Sequence, residues 1–203
     1  MNMLVIIKIR NLALYLLCTG GLLFCSSKKV NNQWDIVEID STIPKNSIYR
    51  FLDTQQEIIL GLVETDSLMK KSSDVMYNVS NQQNLEQEKH LNNNNCRAYF
   101  FNSDILSINI GISDGFCGEG FIINYKNKRF YTEPYYFTDV IFLNKVEPTY
   151  KIIYQNLILD KPIYSLGDSM YGYIDFKSIE TKNGKKLTEH FGKGYFRTKV
   201  TKL

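Results

Sequence analysis

From Cys96 to the C-terminus the chain is a succession of short apolar segments at 97–101, 105–112, 120–125, 129–132, 138–143, 150–159, 171–176, 187–191 and 195–200. The breaks between them carry turn chemistry: Asp114-Gly115, Gly118-Glu119-Gly120, Lys126-Asn127-Lys128, Asp160-Lys161-Pro162, Gly167-Asp168 and Asn183-Gly184. Residues of these types tolerate tight turns and positive φ, so the segments read as strands joined by short connections. Pro134 is expected to interrupt pairing and leave a loop, because proline removes a ladder donor. Strands this short and this regularly spaced predict a mainly β fold, an antiparallel sandwich of the immunoglobulin-like kind or a barrel. The aromatic load agrees: there are 14 Tyr and 12 Phe, whereas Ala occurs only at positions 13 and 98, a balance that favours strands over helices. At 203 residues and 44% hydrophobic the chain can bury one sizeable core.

Within this region, Tyr164-Ser165-Leu166-Gly167-Asp168-Ser169-Met170-Tyr171-Gly172-Tyr173-Ile174 resembles the strand entry of many immunoglobulin-like sandwich domains, Y-x-x-G-D-x-x-x-G-x-hydrophobic. The resemblance bears on fold, not function. Upstream, residues 34–40 alternate apolar and acidic side chains and read as a first half-buried strand. Thr54 and Glu57 have capping-box spacing before an apolar stripe, which predicts a short helix near 55–70; a strand over 57–64 fits the same residues, and Gly61 weakens the helix. Residues 71–95 are dominated by Ser, Asn, Gln, Glu and Lys and are expected to form a polar, mobile loop.

The N-terminus reads as an address. Lys8 and Arg10 precede an apolar run from 12 to 24 that is too short to stop transfer across a bilayer, and no acidic residue occurs before Asp35. Cys25-Ser26-Ser27-Lys28-Lys29 follows. This segment resembles the lipid-attachment site of Gram-negative bacterial lipoproteins, although Phe24 is larger than the residue usual before the cysteine. The resemblance implies a signal peptide at 1–24, a diacylated Cys25, a tether at 25–33 and one β-rich domain at 34–203. It also implies a membrane contact through the lipid (palmitate among its acyl chains), with the protein at the outer membrane facing the periplasm. Ordinary cleavage and an uncleaved anchor are the competing readings. With Cys18 removed and Cys25 acylated, Cys96 and Cys117 remain; they form either a disulfide in an oxidising periplasm or two buried thiols.

Few residue patterns point to chemistry. Without Lys8 and Arg10 the chain carries 22 cations against 21 anions, too even a balance for a nucleic-acid partner. His90 and His190 are the only histidines, no ligand spacing suggests a metal, and no motif implies a cofactor. The glycines between 111 and 120 are followed by a strand, so they read as hairpin turns and not as a phosphate cradle. His90 reads as a solvated loop residue and His190 as a residue on the exposed or rim face of a strand. The aromatic and basic stretch holding Tyr125, Arg129, Tyr131, Tyr135 and Tyr136 is the best candidate binding surface for a protein or glycan, since tyrosine offers a flat apolar face with a polar tip. The expectation is a lipid-anchored, non-catalytic envelope protein. Its alternatives are a periplasmic immunity or inhibitor lipoprotein, and an envelope hydrolase using His190 with Glu189 or Asp175.

Overall fold

The computed structural model describes residues 34–54, 73–81, 89–91, 94–101, 104–113, 116–140 and 147–202. The proposed signal, Cys25, the tether and the expected helix near 55–70 lie outside them. The described strands are β1 (Asp35–Ile36), β2 (Glu38–Ile39), β3 (Met76–Asn81), β4 (Lys89–Leu91), β5 (Asn95–Phe101), β6 (Ile105–Ser113), β7 (Cys117–Lys126), β8 (Arg129–Thr138), β9 (Thr149–Leu159), β10 (Ser169–Lys182) and β11 (Lys185–Thr201). They form one sheet in the order β1-β8-β7-β6-β5-β11-β10-β9-β2, with β3 and β4 added beside β11. Neighbours are antiparallel except β5 with β11 and β2 with β9. Of the two architectures the spacing allows, the described strands form the barrel, as a mixed sheet that is nearly closed.

Closure is achieved by a strap. β1 pairs with β8 and β2 with β9, and only Val37 separates β1 from β2. The two ends of the sheet are thus stitched by the five consecutive residues from Asp35 to Ile39, with further bonds from Val37 N to Lys128 O (3.0 Å) and Asp40 N to Leu159 O (2.9 Å). Side chains complete the seam: the Thr132 N–H donates to Gln155 Oε1 and Gln155 Nε2 donates to Asp35 Oδ2, both at 2.9 Å. This geometry explains why Pro134, contrary to expectation, stays inside β8 opposite Phe121. Its nitrogen lies two residues from Thr132 and faces the seam, where no strand needs a donor. Gln155→Leu is expected to leave the buried Thr132 amide unsatisfied and to lower the unfolding free energy by about 2 kcal/mol, measured by urea denaturation.

The interior is filled from all sides by Ile108, Ile110, Phe121, Ile123, Phe130, Leu157, Ile174, Phe176 and Phe196. Two crossed pairs organise β10 and β11: Gly172 lies opposite Phe196 and Gly192 opposite Phe176. A Cβ on either glycine would stand 2.2–2.3 Å from the facing ring, so each ring occupies the space its partner leaves empty. On the outer surface, a 3-10 turn (Ile43–Lys45) leads into α1 (Ser47–Leu52). Asn46 caps its N-terminus by accepting from Ile48 N, and Tyr49 packs edge-on against Tyr171 and Tyr195. At the other end of α1, Arg197 donates to Leu52 O and pairs with Asp53.

Two further expectations are corrected. Part of 71–95 is β3 and β4, because Val75, Tyr77 and Val79 alternate with Asp74, Met76, Asn78 and Ser80 and point inward against β11; the polar average hides a period of two. Cys96 and Cys117 are not joined by a disulfide. They lie on β5 and β7 with β6 between, and Cys117 is four residues from Phe121, which faces Ile110 opposite Cys96. Two strand spacings and four residues of rise place their Cα atoms about 16 Å apart, more than twice the reach of a disulfide. The turns at 126–128, 167–168 and 183–184 behave as read, with positive φ at Asn127, Lys128, Asn183, Gly167 and Gly184; Gly118-Glu119-Gly120 instead lies inside β7, and Asp114-Gly115 lies outside the described residues.

Candidate functional site

Two places gather chemistry, one on the outer wall and one inside the barrel. The outer site is a concavity of about 460 Å³ over β5, β6 and β8 and the end of β11. Strand alternation brings its residues together. Asn95, Arg97 and Tyr99 share the outer face of β5 with Asn109, Gly111 and Ser113 of β6, while Tyr135 and Phe137 reach over from β8. Gly120 and Gly118 stand opposite Tyr135 and Phe137 in the ladder, and Gly111 faces Gly120.

These glycines, expected in hairpin turns, are strand residues with a definite task. A Cβ at Gly111 would lie 2.5 Å from the Tyr135 hydroxyl oxygen, and one at Gly118 would lie 2.3 Å from the Phe137 ring. Without them the rings could not lie down on the sheet. Tyr135 and Phe137 stack with centroids 6.2 Å apart and planes inclined by 19°. The Tyr135 hydroxyl donates to Asn109 Oδ1 (3.1 Å); burial pushes its pKa up, so it remains a neutral donor. Phe137 is 45% exposed. The floor is therefore aromatic and the margin holds amides, a hydroxyl and the cations Arg97 and Lys202.

Of the five binding candidates, Tyr135 alone lies here. Tyr125 points into the barrel, donating to Pro162 O (2.6 Å) and meeting Tyr164 edge-on. Arg129 is exposed at the start of β8, Tyr131 packs against Trp34 with ring centroids 4.7 Å apart, and Tyr136 is exposed opposite Glu119. One stretch of sequence is dealt out to several faces because alternate residues of a strand point in opposite directions. The missed members, Asn95, Arg97, Tyr99 and Asn109, carry a signal of their own, polar or aromatic residues at every second position of β5 and β6.

Inside the barrel, His190 corrects the expectation of an exposed or rim position, since it is 6% exposed. Its Nδ1 bonds the Tyr77 hydroxyl (2.8 Å) and its Nε2 the Glu180 carboxylate (3.0 Å), with the Tyr150 ring edge-on at 5.6 Å. Glu189 and Asp175 are not its partners. They face outward and pair with Lys177 and Lys186, and with Lys193, respectively, whereas Glu180 on β10 is the diagonal neighbour on the inner face. Both ring nitrogens are occupied, and burial drives the Tyr77 hydroxyl far above its ordinary range. Ser178, opposite His190, is wholly buried and its hydroxyl has no hydrogen-bond partner among the described residues. His90 lies on β4. No group of three or more metal-ligating side chains occurs among the described residues.

Comparison with protein-family models, curated proteins and solved structures finds no match to this chain.

Proposed function

We propose that this chain is a lipid-anchored, non-catalytic protein of the bacterial envelope that binds a glycan in the outer concavity. The observation that carries the binding half is the stacked Tyr135–Phe137 pair laid over Gly111, Gly118 and Gly120. A flat aromatic floor flanked by amides and guanidinium is suited to a sugar ring, whose axial C–H face packs on aromatics while its hydroxyls take hydrogen bonds from the margin. The volume suits a short oligosaccharide. Support for the anchoring half comes from Cys25 and the signal-like segment before it. Outer-membrane attachment facing the periplasm follows from Ser26-Ser27-Lys28-Lys29, which lacks the acidic residues of exported lipoproteins.

The experiment is titration calorimetry of the mature protein with envelope oligosaccharides, beside Tyr135→Ala and Phe137→Ala. Each variant is expected to bind about tenfold more weakly, the worth of one aromatic stacking contact. No heat with any oligosaccharide, together with capture of a protein toxin or a lysozyme-like enzyme through the same face, would replace the glycan by the immunity or inhibitor reading. A hydrolase built on His190 has to break its bond to Tyr77 or Glu180 before a substrate reaches the ring, so the geometry favours a structural role for this histidine.

A further inference from the structure

The barrel has two unlike ends. At one, the basal end, lie the β7–β8 turn at 127–128, the β9–β10 connection at 160–168 and the strap of β1 and β2. At the other lie the β6–β7 and β10–β11 hairpins. Large apolar side chains are bare at both ends: at the basal end Ile36 and Ile163 are each 76% exposed and Leu166 is 59% exposed, and at the other end Phe116 is 70% and Val140 57% exposed, so it is the neighbouring cations and the entry of the chain that set the basal end apart. Ile36 and Ile163 flank the β7–β8 turn, and Leu166 stands by the end of β11. Ile36 pairs in register with Arg129, and Ile163 lines a groove of about 360 Å³ together with Lys126, Asn127, Lys128 and Tyr164. Lys126 is paired with Asp104 and Lys161 with Asp168. Lys128 and Arg129, both exposed, have no ion-pair partner among the described residues. An apolar rim beside uncompensated cations is a composition suited to an interfacial contact with anionic lipid.

The chain also enters here. Trp34 packs on Tyr131 two residues before Ile36, and eight residues separate it from Cys25. Fully extended, those eight residues span at most roughly 28 Å, so a lipid on Cys25 keeps this end within reach of the bilayer. The geometry points to the basal rim of Ile36, Ile163, Leu166, Lys128 and Arg129 as a docking surface for an anionic phospholipid bilayer. It rests on the proposed anchoring at Cys25. One consequence is orientation: Tyr135 lies six residues along β8 from Arg129, about 20 Å toward the opposite end, so docking holds the Tyr135–Phe137 floor of the concavity away from the membrane, while Thr201 and Lys202 of its margin stay nearer the docked end.

The test uses the lipidated protein reconstituted in vesicles of zwitterionic phospholipid with and without phosphatidylglycerol, carrying a spin label at Ile163→Cys or, near the opposite end, at Leu187→Cys. Intact mass first establishes whether Cys25 is acylated. The expected result is that the label at 163 is shielded from a water-soluble relaxant and accessible to oxygen, while the label at 187 stays aqueous. Removing the charges by Lys128→Gln and Arg129→Gln is expected to reduce the docked fraction relative to undocked by roughly fivefold for each cation, only in vesicles with anionic lipid. An acylated protein in which both labels are equally aqueous overturns the docking surface and leaves the anchor standing. An unacylated chain overturns both.

Discussion

Gly194→Ala is expected to lower the unfolding free energy by about 4 kcal/mol, a large part of what a domain of this size has. Gly194 sits in β11 opposite Ile174 with φ +146°, a conformation that side chains with a Cβ rarely adopt. A methyl group there would lie 2.2 Å from Asp74 O and 2.8 Å from Val75 Cα. Both obstacles are backbone, and the 73–75 segment is held from two directions, by Asp74 N to Tyr195 O (2.8 Å) and by Ser73 N to Asn94 O (3.1 Å). Strain and overlap therefore add. The control is Gly184→Ala, where φ is +75° and nothing lies within 4 Å of the added atom; only the backbone term of about 1 kcal/mol applies. Urea unfolding of both variants separates the terms. Equal losses would mean that the 73–75 segment yields to the methyl group and does not constrain the barrel.

The second large effect is alkaline. Burial raises the hydroxyl pKa of Tyr77, which is 1% exposed, and of Tyr49 and Tyr164; for Tyr164 the hydrogen bond to Asp160 adds to the shift. The folded state therefore keeps these phenols protonated where the unfolded chain would release the protons. Below the unfolded value near 10 this contribution to stability is fully present, and it is lost as the pH rises above that value toward the folded one. For Tyr77 the loss is about 1.4 kcal/mol per pH unit, and with smaller shares from Tyr49 and Tyr164 the total reaches roughly 3 kcal/mol by pH 11. Tm followed from pH 7 to 11.5 is expected to be flat with respect to these groups up to about 10 and then to fall steeply. Phenolate absorbance should show these tyrosines ionising together with unfolding. Smooth titration of all tyrosines in a still-folded protein would refute the burial argument.

Legibility in the sequence followed the strand period. Where alternation and turn residues were both local, as around Asn127-Lys128, Gly167-Asp168 and Asn183-Gly184, strands and connections were read correctly. Where the local average is polar, as at β3, the sequence reads as a loop, although Val75, Tyr77 and Val79 carry the period of the strand and its approach. The candidate site was half legible. Its aromatic half is continuous in sequence, so Tyr135 was singled out; its polar half comes from β5 and β6 and could be joined to Tyr135 only by knowing that β6 lies between β5 and β7.

What the chain's own order of residues determined is local: mainly β structure, the positions of most turns, and an apolar set large enough for one core. What only the tertiary structure decided is everything that depends on which strands are neighbours. Closure by the five residues centred on Val37, the toleration of Pro134 beside Gln155, the separation of Cys96 from Cys117, the burial of His190 between Tyr77 and Glu180, and the use of glycines as floors for rings are all of this kind. The physical reason is that side-chain alternation along a strand is set by the residue's own backbone, whereas register and partner are set by contacts between segments far apart in the chain.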